Sequence, residues 1–144
     1  MATSARYKRL LSMIGEYGVC AELSKRNHDV SPTLRNTQSA DIYLHKDNGT
    51  YRAIEVKTSR DTKFVTGFFQ KFYDLARVHP DYWVFVHLNK NDDAHYYILT
   101  HAEVEQVQMQ QNNLTVRPTT KPKGCDNILL KQIVQHENAW HKIV

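Results

Sequence analysis

Little in this chain suggests an unusual scaffold. Its 144 residues include two cysteines, Cys20 and Cys125, which form neither a CxxC pair nor a repeated framework, so both read as small buried side chains. Five glycines and four prolines are too few for a collagen-like or low-complexity chain. The longest apolar run, Tyr82 to Val86, falls far short of the ~18 residues a membrane span needs, and the opening MATSARYKRL has no apolar signal core. A cytoplasmic protein without a membrane partner is expected. No P-loop, GxGxxG or GxSxG occurs, and His136 with His141 lacks the spacing of a helical zinc pair.

What is present is ordinary for a packed mixed domain. With 41% hydrophobic and 24% charged residues the chain can bury a core without staples, and no repeat, linker or shift in composition divides it, so residues 1–144 are read as one domain. The net charge of +4 is unevenly distributed. Lys57 to Arg77 carries five basic residues against two acidic and Arg117 to Val144 likewise, whereas Asp81 to Asn112 carries one against five. Such segregation suits a polyanionic partner.

From about Ser4 to Lys25, Tyr7, Leu10, Leu11, Ile14, Gly18 and Ala21 share one helical stripe, with Ser4 as N-cap, which predicts an amphipathic helix. Val30 to Leu34 reads as a short strand whose proline suits an edge. Ser39 to His45 and Tyr51 to Ser59 alternate about Asp47-Asn48-Gly49, a strong hairpin signal. Thr62 to Val78, rich in Phe and Tyr with Lys and Arg between, reads as a poorly specified helix or long loop. Tyr82 to Leu88 and His95 to Leu99 form a second hairpin. Thr100 with Glu103 is a capping box opening a helix to about Gln111, and Ile128 to Val134 and Ala139 to Val144 are short elements that dock Trp140 on the core.

The first hairpin places its apolar residues at even positions, Ile42 and Leu44 in one strand and Ile54 and Val56 in the other. Asp41, Glu55 and Lys57 then share the opposite face. A two-residue Asn48-Gly49 turn would set Ile42 against Glu55 and put the faces out of phase, so a three-residue loop or a bulge is required. Looping Asp47 to Gly49 sets Asp41 opposite Glu55; looping Asn48 to Thr50 sets it opposite Lys57. In either register the three charges converge.

Carboxylates brought this close raise each other's pKa unless a cation intervenes. Hard oxygen donors without a His or Cys pair suit Mg²⁺ or Mn²⁺, ions that keep several waters and bridge to phosphate oxygens. A bound ion of this kind lowers the pKa of an attacking water, and an ammonium such as Lys57 orients that water or neutralises developing charge, so phosphodiester hydrolysis is the chemistry this constellation suggests. Glu-x-Lys by itself recurs by chance in roughly every second chain of this size, and an alternating Glu/Lys strand face is otherwise an ordinary solvated face.

Asp41, a hairpin, and Glu55-Val56-Lys57 in an apolar strand resemble the PD-(D/E)xK nuclease superfamily, most nearly archaeal Holliday-junction resolvases and uncharacterised bacterial relatives. The resemblance spans about Ile14 to Ser59, with Gly15-Glu16-Tyr17 and Leu23 similar to the preceding helix, and Ala40 standing where the motif has proline. It implies an α/β, restriction-endonuclease-like core with a mixed sheet of four or five strands flanked by helices. It further implies a Mg²⁺ (or Mn²⁺) cofactor held by Glu16, Asp41 and Glu55, with Lys57 as base or charge stabiliser. On the helical wheel, however, Glu16 lies opposite the apolar stripe, so pattern alone makes it a surface residue. DNA is the expected partner, contacted by Thr58, Arg60, Lys63, Lys71 and Arg77 and by Arg117, Lys121 and Lys123, with Phe64, Phe68, Phe69, Phe72 and Tyr73 either stacking on bases or filling the core. A homodimer is compatible with such a nuclease. The alternatives are a non-catalytic nucleic-acid- or protein-binding module that keeps the fold, or a plain structural interaction protein.

Overall fold

The computed structural model describes residues 4–33, 40–72, 78–118 and 126–144. Its spine is a five-stranded mixed sheet built from β1 (Asp29–Pro32), β2 (Ile42–His45), β3 (Tyr51–Ser59), β5 (Tyr82–Leu88) and β6 (Ala94–Thr100) in the order β1-β2-β3-β5-β6. β3 pairs antiparallel with β2 and parallel with β5, and every other pairing is antiparallel. Between β3 and β5 the chain leaves the sheet, forming β4 (Lys63–Val65), which pairs with β7 (Asn127–Leu129), and then the short helix α2 (Phe68–Phe72). This is the expected α/β architecture of a mixed sheet flanked by helices. Among the described residues, no helix is long and apolar enough to cross a membrane.

Both faces of the sheet are covered, and β5 is accordingly buried at every position but His87. One face gathers Ile42, Leu44, Ile54, Val56, Val84, Val86 and Ile98 against Val19 and Leu23 of α1 (Ala5–Lys25), together with Trp140 and Ile143 from the C-terminal 3₁₀ turns. The other gathers Trp83, Phe85, Tyr97 and Leu99 against Val104, Val107 and Met109 of α3 (His101–Gln111), with Phe64, Phe68, Phe69, Phe72 and Ile128. The described Phe residues of the Thr62 to Val78 segment are thus core. The capping box of α3 forms as expected, Thr100 Oγ1 accepting the Glu103 N–H while Glu103 returns a bond to the Thr100 N–H.

Two expectations are corrected. Ser4 does cap α1, but its apolar stripe faces outward: Tyr7, Leu10 and Ile14 are 41–46% exposed, and the buried line is Gly15, Val19 and Leu23. A count of apolar residues favours the first stripe, yet the helix meets the sheet through Gly15 of the second stripe and Gly18 at the margin of the first, where a Cβ would sit 2.6 Å from the Tyr96 hydroxyl. An alanine-like Cβ at Gly15 would sit 1.8 Å from Thr58 Oγ1. The second correction concerns Thr62 to Val78, which contains β4 as well as a helix. Three residues paired with a strand more than sixty positions away leave no local periodicity to read.

Candidate functional site

The hairpin takes the three-residue loop. Ile42 pairs with Ile54 and His45 with Tyr51, the Lys46 N–H donates to Thr50 C=O at 2.8 Å, and the Gly49 N–H donates to Lys46 C=O at 3.0 Å. Gly49 has φ +83, a left-handed conformation that glycine adopts freely at the end of such a loop. Extending this register by one residue sets Asp41 opposite Glu55, the first of the two sequence alternatives.

At Asp41 the ladder changes character. Its N–H still reaches Ile54 C=O at 3.1 Å and its C=O accepts the Thr33 N–H at 2.9 Å. The Val56 N–H, however, donates to Asp41 Oδ2 at 2.8 Å, so a side-chain carboxylate takes a place on β3 that a backbone carbonyl fills elsewhere in the ladder. The Asp41 carboxylate is thereby fixed between β2 and β3. Burial, with Glu55 as the next contribution and Glu16 adding to it, pushes the Asp41 carboxyl up to about 7, against the opposing effects of the Val56 hydrogen bond and Lys57.

Glu55 and Lys57 follow on the same face of β3, half-buried beside Trp83 and Phe85 of β5. Lys57 Nζ lies 3.3 Å from Glu55 Oε1. A second ammonium, Lys71 of α2, lies 3.9 Å from the same oxygen. Glu16 comes from the buried flank of α1, where it also adds to burial in raising the Cys20 thiol pKa. It is half-buried, not the surface residue its wheel position suggested, because the true inner stripe of α1 runs alongside it. Asp41 is thus the group on which Glu55, Glu16 and Lys57 act, and Lys71 joins the cluster through Glu55.

The remaining residues named from sequence are more dispersed. Thr58 turns its Oγ1 inward against Gly15, where it is buried without a hydrogen-bond partner and packs against α1. Arg60 Nη1 pairs with Asp92 at 2.7 Å, linking the end of β3 to the β5–β6 turn. Lys63 is exposed on β4. Arg117 is tied to Glu105 and to the Phe72 carbonyl, which commits its guanidinium to fastening α3 to α2. Tyr73, Arg77, Lys121, Lys123 and Cys125 lie outside the described residues. Sequence reasoning named Lys71 as a DNA contact and not as a neighbour of Glu55; its approach to Glu55 depends on the β4–α2 excursion, which no local pattern announces.

Among the described residues, no group of three or more His, Cys, Asp or Glu side chains is arranged to hold a metal ion. The donor chemistry nevertheless suits Mg²⁺ or Mn²⁺ through two residues. Asp41 and Glu55 offer hard oxygens, the Asp41 carboxyl raised to about 7 by burial and then by the charge of Glu55, and such ions bind through one or two carboxylates while keeping their other waters. Comparison with protein-family models, curated proteins and solved structures finds no match for this chain.

Proposed function

We propose that this protein is a Mg²⁺-dependent nuclease that hydrolyses phosphodiester bonds in DNA at the Asp41, Glu55 and Lys57 cluster. The observation that carries the reading is the cross-strand arrangement itself: a carboxylate wedged between β2 and β3 faces a second carboxylate on β3, with an ammonium 3.3 Å from the latter. The order of Glu16 on a helix, Asp41, a hairpin and Glu55-Val56-Lys57 is that of the PD-(D/E)xK nuclease superfamily and supports the same reading.

In this scheme Asp41 and Glu55 hold the divalent ion, with Glu16 nearby as a further oxygen donor. When bound, the ion supplies charge neutralisation at the phosphoryl oxygens and a water of lowered pKa. Asp41 would hold the ion in its ionised form, so metal binding would be favoured as pH rises toward and past the raised pKa of about 7. Lys57, held by the strand on the same face, orients the attacking water or neutralises charge that develops on the phosphodiester. The basic stretch from Lys57 to Lys71 supplies non-specific attraction for the backbone of the substrate.

The test is cleavage of supercoiled, single-stranded and branched DNA by wild type and Lys57→Ala, with Mg²⁺, Mn²⁺ or chelator. Metal-dependent cleavage lost in Lys57→Ala is expected, and equal cleavage by the two proteins on every substrate would overturn the proposal. A second reading, a DNA-binding module that keeps the fold without catalysis, is favoured by one observation: the three carboxylates are not assembled into a metal cage among the described residues. Its signature is salt-sensitive DNA affinity that survives neutralisation of Asp41 and Glu55.

A further inference from the structure

We propose that Lys71 is a built-in counter-ion of this site, a cation that rests on Glu55 until an anionic phosphodiester draws it away. The inference rests on the preceding reading of Asp41 and Glu55 as a cation-binding pair, and it concerns how that pair is loaded.

One carboxylate oxygen, Glu55 Oε1, faces two ammonium groups, Lys57 at 3.3 Å and Lys71 at 3.9 Å. The two lysines are held differently. Lys57 projects from the middle of β3, only 23% exposed, and stays beside Glu55 as long as the strand is formed. Lys71 is 45% exposed and reaches Glu55 from a separate element, by a long stem that solvent leaves free to reorient.

That element is placed with care. Five residues cannot hold a helix by themselves, and α2 is fixed from outside. Asp126 Oδ1 accepts the Phe69 N–H at 2.9 Å and Asp126 Oδ2 the Gln70 N–H at 3.2 Å, while the Asp126 C=O accepts the Thr66 N–H at 3.0 Å. Phe68, Phe69 and Phe72 are buried beneath the same turn. The backbone that carries Lys71 is thus pinned next to β3, and only the lysine side chain is left to move.

A divalent ion at Glu55 competes with the Lys71 ammonium already beside it, while a phosphodiester offers that ammonium a second anionic partner. Each ligand therefore lowers the cost of binding the other, and metal and substrate load together by reciprocal coupling. Lys71 is in this sense a positioning residue, acting on the metal site through Glu55.

The experiment compares wild type, Lys71→Met, Lys71→Arg and Lys90→Met, the last altering an exposed lysine in the β5–β6 turn. Each protein is titrated with Mn²⁺ by calorimetry without DNA, and with a fluorescent duplex in chelator by anisotropy over a range of salt. Lys71→Met should bind Mn²⁺ about threefold more tightly than wild type, as befits removal of a partly exposed competing ion pair. It should bind the duplex about threefold more weakly, with the salt slope reduced by about one. Lys71→Arg and Lys90→Met should leave the Mn²⁺ affinity near that of wild type. Unchanged or weaker Mn²⁺ binding by Lys71→Met, in a setting where wild type binds the ion, overturns this inference alone, as does equal tightening by Lys90→Met. If wild type takes up no Mn²⁺ at all, the metal-site reading fails and this inference fails with it.

Discussion

Asp41 Oδ2 accepts the Val56 backbone N–H at 2.8 Å, so a carboxylate whose pKa is raised by burial and by the charge of Glu55 also completes the sheet. Structure and proposed chemistry thus meet in a single side chain, and the two roles can be separated by titration.

Asp41→Asn keeps an oxygen acceptor for Val56 and removes the charge. The folded protein holds the Asp41 proton up to about pH 7, whereas the unfolded chain releases it near the ordinary value of 3.8. Between those values the native state binds more protons, so stability falls as pH rises through the window, and the penalty is complete above about pH 7. Thermal melting should therefore place the variant above wild type by about 5 °C at pH 8 and level with it near pH 4. A difference independent of pH would show that the charge is not strained.

Gly15→Ala should destabilise the protein by about 1–3 kcal/mol, because the new methyl meets Thr58 Oγ1 at 1.8 Å and the helix must lift from β3. Adding Thr58→Ala removes the obstructing hydroxyl and should recover part of the loss. Urea denaturation of the four proteins of this cycle gives the coupling directly. Strict additivity would refute the contact.

His101 predicts acid sensitivity. Burial, followed by His79 and Arg117, lowers its pKa to about 3, and its Nδ1 accepts the Trp83 Nε1–H at 3.1 Å. The neutral ring contributes stability above the ordinary value of 6.5, and this contribution is lost as pH falls from there toward 3. His101→Phe should be less stable at pH 8, lacking the acceptor, yet should show a flatter dependence of Tm on pH between 6.5 and 3. Equal slopes for the two proteins would exclude His101 as the titrating group.

Asp126→Ala frees two N–H groups at the start of α2 and should cost about 1 kcal/mol, in the range of a lost helix cap. Because α2 carries Lys71, its Mn²⁺ affinity should shift in the same direction as in Lys71→Met. A stability loss with no change in ion binding would separate the helix anchor from the site.

The periodic parts of this fold were legible. Alternation in Ile42, Leu44, Ile54 and Val56 fixed which face of the hairpin meets α1, and the phase argument called for a three-residue loop or a bulge, leaving two placements that the structure resolves in favour of Asp47 to Gly49. Thr100 and Glu103 announced the start of α3 through two local hydrogen bonds. What failed shares one cause. The inward line of α1 is chosen by how closely Gly15 can approach Thr58, and β4 exists through pairing with β7, both relations between residues far apart in the chain. The candidate site divides in the same way. Asp41, Glu55 and Lys57 follow from the register of one hairpin, whereas the half-buried setting of Glu16 and the reach of Lys71 to Glu55 are set by how α1 and α2 dock.

The two rims of the central sheet are also guarded. β1 is four residues long and finishes at Pro32, which has no N–H to offer a neighbouring strand. Along β6, Glu137 bridges to Tyr97, the Asn138 N–H donates to Tyr96 C=O at 2.8 Å, and Lys142 Nζ donates to Ile98 C=O at 3.1 Å. The C-terminal turns thus act as a cover strip over backbone that would otherwise template self-association, and cutting them away would expose a seven-residue margin able to recruit further copies into a growing sheet.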